Sequence, residues 1–196
     1  MLDVNRWRAY YEALYRVAIA LGESQLEPDE VLQKLLHGVI EALELKAASI
    51  RLLSKQGLLE PAAGEGLSRQ YLGKGPVDVE HSGVDREALR GRPVVIEDVT
   101  TDPRFEYPEA ASREGIVSAV FIPLFARDEP IGVLRVYTEE KRRFAPEEID
   151  LLVALASLGA LAIVNARLYQ VCLLDQQMTT EALWNFHLPD DLLGKG

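Results

Sequence analysis

Val117-Ser118-Ala119-Val120-Phe121-Ile122-Pro123-Leu124-Phe125, then Ala126-Arg127-Asp128-Glu129, then Pro130-Ile131-Gly132-Val133-Leu134-Arg135-Val136-Tyr137, reads as two apolar strands joined by a polar turn. Upstream, Pro93 to Glu97 gives another strand of the same kind. The stretch between, Asp98 to Gly115, is broken by Asp102-Pro103 and Tyr107-Pro108 and leaves room for one short helix at Glu109 to Glu114. A connection of that length inside a compact domain is a candidate functional loop.

Further back the apolar period is again two, with Ala48, Ile50 and Leu52 alternating against Ser49, Arg51 and Leu53. Gln56-Gly57 supplies a turn, and a second strand runs from Leu58 to Ala63. Gly64 to Pro76 holds four glycines and reads as a loop with one short helical turn. Ser82 and Asp85 form a capping-box-like start for a helix through Leu89, which Gly91 closes.

Helices flank these strands. Trp7, Tyr10, Leu14, Val17 and Leu21 recur at spacings of three and four and predict a first helix ending at Gly22. Pro28, Asp29 and Glu30 open a second, whose Val31, Leu32, Leu35, Leu36, Val39, Ile40 and Leu43 make one broad apolar face. Pro146, followed by Glu147, Glu148 and Asp150, opens a long last helix that reaches at least Gln170. The fold class is therefore α+β. Residues 1–24 read as a dimerisation helix, 25–170 as the domain proper, and 171–196 as a helical extension with a disordered polar tail after His187.

The 196 residues, 48% of them hydrophobic, suffice for one full core. A net charge of −10 with the signs interspersed argues against nucleic acid and anionic membrane surfaces as partners. The first twenty residues lack the order of a signal peptide, so the expected location is the cytoplasm. The uncharged run Leu151 to Ala166 is short for a bilayer span and reads as a buried helix. A single thiol, Cys172, excludes an internal disulfide. His37, His81 and His187 lie far apart with no ligand-pair spacing, so neither a metal site nor haem is expected. With no Gly-x-Ser-x-Gly elbow and no phosphate loop, since Gly73-Lys74-Gly75-Pro76 lacks the helix start, the chain is not expected to be an enzyme.

Six motifs in order resemble those of a GAF domain. They are Pro93-Val94-Val95-Ile96-Glu97-Asp98-Val99, Asp102-Pro103-Arg104-Phe105, Ser118 to Leu124 with its Ile122-Pro123-Leu124 ending, Ile131-Gly132-Val133-Leu134, Phe144 with Glu147-Glu148-Ile149 and Leu151-Leu152, and Ala162-Ile163-Val164-Asn165-Ala166-Arg167-Leu168-Tyr169. The resemblance implies a sensory domain with a central antiparallel sheet, the first and last helices and long terminal helices on one face, and loops and short helices on the other that roof a small-molecule site. GAF domains bind cyclic nucleotides, bilins, haem, amino or keto acids, or no known ligand, and fold alone does not choose among these. Covalent bilin attachment needs a thiol beside the pocket, whereas Cys172 falls on the terminal helix. The sulfoxide-reductase chemistry of this fold likewise needs cysteines near the pocket. Glu140-Lys141, Phe144 and Glu147-Glu148 echo the cyclic-nucleotide pattern without its asparagine or spacing, leaving cyclic nucleotides a distant alternative.

For a small, anionic metabolite the candidate residues are Asp102, Arg104, Arg113 and Ser118, with Phe105 and Val120 as apolar lining. The competing reading is that Asp102 caps a turn and the arginines pair with Glu106 and Glu109 on the surface. Homodimerisation is expected through Trp7, Tyr10, Leu14, Val17 and Leu21 packing with Leu161, Val164, Leu168 and Val171, unless the first helix folds back to complete a monomeric core. Two functions stand: a sensor relaying ligand binding through these helices to a separate effector protein, and an unliganded interaction module. The first predicts a closed pocket of several hundred cubic ångströms with an arginine, the second a pocket filled by side chains.

Overall fold

The computed structural model describes residues 4–22 and 28–184. The chain runs α1 (Val4–Gly22), α2 (Pro28–Leu43), β1 (Ala47–Leu53), β2 (Leu58–Glu65), α3 (Arg69–Leu72), β3 (Val77–Asp78), α4 (Gly83–Ala88), β4 (Val94–Ile96), α5 (Pro108–Glu114), β5 (Ser118–Ala126), β6 (Glu129–Thr138) and α6 (Pro146–Trp184). The predicted end of the second loop is well defined, because Gly115 takes the left-handed φ of 72° and closes α5. The tail expected to be disordered lies outside the described residues.

Six antiparallel strands form one sheet in the order β3-β2-β1-β6-β5-β4. Strand alternation divides it into two cores. On one face, Ile50, Val120, Ile122, Leu124, Leu134 and Val136 meet Leu35, Leu36 and Val39 of α2 and Leu152, Leu155 and Ala156 of α6. On the other face, Phe121, Val133 and Tyr137 lie under Tyr71, Val84, Ala88 and Ala111 of the short helices. β3 was not foreseen; two residues carry too little pattern to show a period.

The α1 side chains expected at a dimer interface lie largely in the core of their own chain. Tyr10 is 3% exposed and Val17 0%, and both belong to the helix-side core, with Leu14 and Leu21 packed against it. These residues bury against α2 and α6 of their own chain, so the row is spent within the subunit. Trp7 stays exposed, as do Tyr11, Tyr15 and Ile19 on the opposite side of the helix. On α6, Leu161 and Leu168 face outward and Val164 is half-buried, while the side chain of Val171 lies outside the described residues.

Pro146–Tyr169 is long and apolar enough, by length and composition, to cross a membrane, with a mean hydropathy of 2.1. Its inner row, Leu151, Leu152, Leu155, Ala156, Ala160 and Ile163, is buried in the helix-side core. A clamp fixes its start: Arg142 donates to the Leu43 carbonyl at 2.7 Å and to Glu148 Oε1 at 2.7 Å, and Glu148 Oε2 accepts from the Ala145 N–H. The chain end of α2 and the first turn of α6 are thereby tied together.

Candidate functional site

The roofed face carries charge where a core would normally be apolar. β1 and β6 are neighbours, and their alternation places Arg51 and Arg135 on this side of the sheet. Arg135 is 4% exposed and Arg51 3%. Opposite Arg135 stands Asp85 of α4, whose Oδ1 accepts from Nε at 3.1 Å and from Nη2 at 2.7 Å. The other carboxylate oxygen accepts from the Ser82 hydroxyl at 2.6 Å. Burial alone pulls the Arg135 pKa down, and the Asp85 carboxylate more than offsets it, so the net shift is upward. Arg51 has no such carboxylate beside it; it donates to the carbonyls of Leu59 and Gly75 at 3.0 and 2.9 Å. Its pKa is lowered by burial and by the Arg135 charge.

Lys74, between α3 and β3, closes the space above these arginines. Its Nζ lies 3.6 Å from the Tyr71 ring centroid and 4.9 Å from that of Tyr107. Burial lowers its pKa to about 7, helped by Arg135 and Arg51 and opposed by Asp85 and Glu106. Tyr71 stacks edge-on with Tyr137, and burial pushes its phenol well above the ordinary range. Phe105 meets Phe121 edge-on, and Phe121 lies under the Arg135 guanidinium. Glu106 Oε2 is buried in this wall with no hydrogen-bond partner. The aromatic rings and Lys74 leave a cavity of only about 20 Å³, room for a single water. With Lys74 protonated, three cations face two carboxylates, an arrangement that favours an anion.

The sequence profile of the GAF domain matches residues 25–164. The chain belongs to the GAF domain family. The fold is similar to the GAF domain from a phosphoenolpyruvate-protein phosphotransferase of Coxiella burnetii, with 22% identity and a TM-score of 0.74 over 84% of this chain and 98% of that one. It is also similar to a domain of a two-component sensor histidine kinase protein from Sinorhizobium meliloti, at 26% identity and a TM-score of 0.58 over 70% and 91%. A third similar structure is a free methionine-R-sulfoxide reductase from Neisseria meningitidis in complex with its substrate, at 19% identity and 0.69 over 86% and 96%. No curated protein gives a significant sequence match. The family is commonly sensory or regulatory.

Within the GAF fold the residues chosen from the sequence scatter. Phe105 lines the roof cavity. Arg104 does not reach it: its guanidinium is held bidentately by Asp102 at 3.0 and 2.7 Å and by Glu87 at 2.7 Å. The Arg104 hydrogen bonds hold the Asp102 carboxyl below its usual range. Arg113 is exposed on α5. Ser118 is fully buried at the sheet end, its hydroxyl between the Glu97 and Glu140 carbonyls and accepting from the Arg142 N–H at 2.9 Å. Val120 points into the helix-side core, because β5 alternates and Phe121 takes the roofed side. Ser118 and Val120 are thus removed from the cavity by strand register.

The residues that do meet in the cavity include Lys74, Asp85 and Arg135, with Arg51 on the same face of the neighbouring strand, and none of the four is on the sequence list. A signal existed for two: a lone arginine interrupts each of the apolar strands Ser49-Ile50-Arg51-Leu52 and Val133-Leu134-Arg135-Val136. Arginine within a strand covered on both faces needs a buried partner. Asp85 was legible only as a helix cap, a role it shares with Ser82, whose hydroxyl accepts from the Asp85 N–H.

Proposed function

We propose that this GAF domain is a regulatory module that binds a small anion, of carboxylate type, in the roof cavity and passes the event through α6 to a partner. The observation that carries the reading is that Arg51 and Arg135 are both buried on the roofed face while the one carboxylate bonded there, Asp85, serves Arg135 and leaves Arg51 with backbone carbonyls. An oxyanion bridging the two guanidinium groups would supply the missing charge-assisted bonds. Turnover is not part of the reading; the described thiol, Cys172, is exposed on α6, far along the chain from the roof elements.

The test is thermal unfolding against a panel of small mono- and dicarboxylates, keto acids, amino acids and inorganic phosphate. A ligand at a hundred times its Kd adds about 2.7 kcal/mol, which raises Tm by roughly 5–10 °C for a chain of this size. Arg51→Met is expected to abolish the shift. A panel that leaves Tm unmoved would remove the anion reading and favour the unliganded interaction module, which the small size of the cavity supports.

The partner in this reading is a second copy of the chain. Among the described side chains the last one that α6 gives to the core is Ile163, and the helix continues to Trp184, roughly 30 Å further. Along its outer side Val153, Leu161 and Leu168 are exposed at near-heptad spacing. Pairing of α6 with its two-fold mate would cover that row, and the stacked Tyr11 and Tyr15 of α1 extend the apolar surface. Leu161→Glu with Leu168→Glu is expected to turn a dimer into a folded monomer in sedimentation equilibrium. An unchanged dimer would mean that another surface holds it.

A further inference from the structure

Lys74 sits between two glycines, and its backbone is held on each side by one bond: Gly73 N–H to the Arg69 carbonyl at 2.8 Å, and Arg51 Nη1 to the Gly75 carbonyl at 2.9 Å. Gly75 has φ +89°, which a side chain would rarely adopt, and the space beside its Cα is open. No neighbour lies within 4 Å on the Cβ side of Gly75 in this short segment around Lys74. Its side chain, by contrast, turns inward, and the ammonium lies in the aromatic wall against Tyr71 and Tyr107. A lysine stem buries its methylenes readily while the head seeks water or charge. Here the head is turned away from open solvent and toward two other cations, which burial makes unfavourable.

We propose that Lys74 is a retractable plug and charge selector: its side chain occupies the volume in which an anion would sit, and withdrawal of the Gly73–Pro76 segment opens the cavity above Arg51 and Arg135. The proposal rests on the roof cavity being the binding site. The closed state satisfies Arg51 with the Gly75 carbonyl; in the open state an anion's oxygen takes that place. The ammonium then returns over the anion as its third cation. Uncharged or cationic molecules gain nothing from breaking the Arg51 bond, so they are refused.

The plug is tested with a reporter thiol in the cavity wall, Val84→Cys, in a Cys172→Ser chain. It is modified with a sulfonate-bearing and a trimethylammonium-bearing methanethiosulfonate of similar size. Lys74→Ala is expected to speed the sulfonate reagent at least tenfold, while Lys74→Met, which keeps the volume, leaves the cavity closed. Equal rates with Lys74 and with alanine would overturn the plug. A faster rate that favours the cationic reagent would leave the plug standing and overturn the anion site beneath it. In the unaltered chain at about pH 10.5, where lysine amines are largely neutral and access alone differs, reductive methylation is expected to modify Lys74 at least tenfold more slowly than the exposed Lys55. Equal modification of the two lysines would overturn the proposal whether or not the alanine variant folds.

Discussion

The two faces of this sheet solve the same burial problem with different chemistry. The helix-side face is an apolar stack of leucine, isoleucine and valine from β1, β5, β6, α2 and α6. The roofed face places a buried Arg135–Asp85 pair, a second arginine and a lysine among tyrosine and phenylalanine. A buried ion pair stabilises little compared with apolar residues of the same volume. Its place in the middle of the roofed face is therefore consistent with a role other than stability. In the proposed reading the first face makes the scaffold and the second the site.

Breaking the pair gives the largest expected effect. Asp85→Ala leaves Arg135 buried and unpaired and is expected to cost about 3–5 kcal/mol in urea unfolding, whereas the double change Asp85→Leu with Arg135→Met recovers most of that loss. If the double variant is as unstable as the single one, the pair is a structural necessity and the contrast between the faces fails. On the helix side, Leu152→Ala should cost about 2–4 kcal/mol through the cavity it leaves. No second substitution on that face is expected to restore it.

The sheet and its helices were legible because their apolar residues repeat, at two in β1 and β5 and at three to four in α2 and α6. The dimer row on α1 misled for the same reason. Periodicity shows that Tyr10, Leu14, Val17 and Leu21 bury together, yet not whether the covering surface belongs to the same chain. The site residues were less legible because the cavity assembles at long range: Asp85 reaches Arg135 fifty positions away, and Arg51 reaches Gly75 across β2 and α3. Loop residues such as Arg104 carried the right chemistry, but local carboxylates, Asp102 and Glu87, absorb it.

The smallest expected effect separates the faces by pH. Lys74 is held at about 7 in the fold, against 10.5 unperturbed. The folded chain thus binds fewer protons than the unfolded one between those values, and stability rises with pH across that window. The penalty is full below about pH 7. After discounting for partial exposure it is on the order of 1–2 kcal/mol. Lys74→Met should be more stable than the parent by that amount at pH 6, with the gap closing near pH 10. Leu152→Ala should show a pH-independent difference over the same range. Parallel curves for parent and Lys74→Met would mean that Lys74 keeps an ordinary pKa and is not buried in solution.

The domain is proposed to be a dimer whose roofed face holds a small anion. Native mass spectrometry of the purified chain, with and without a carboxylate that raises Tm, reads both parts at once. The account expects a dimer that gains the mass of one anion per subunit and loses it on Arg51→Met. A monomer that takes up no anion at millimolar concentration would contradict it.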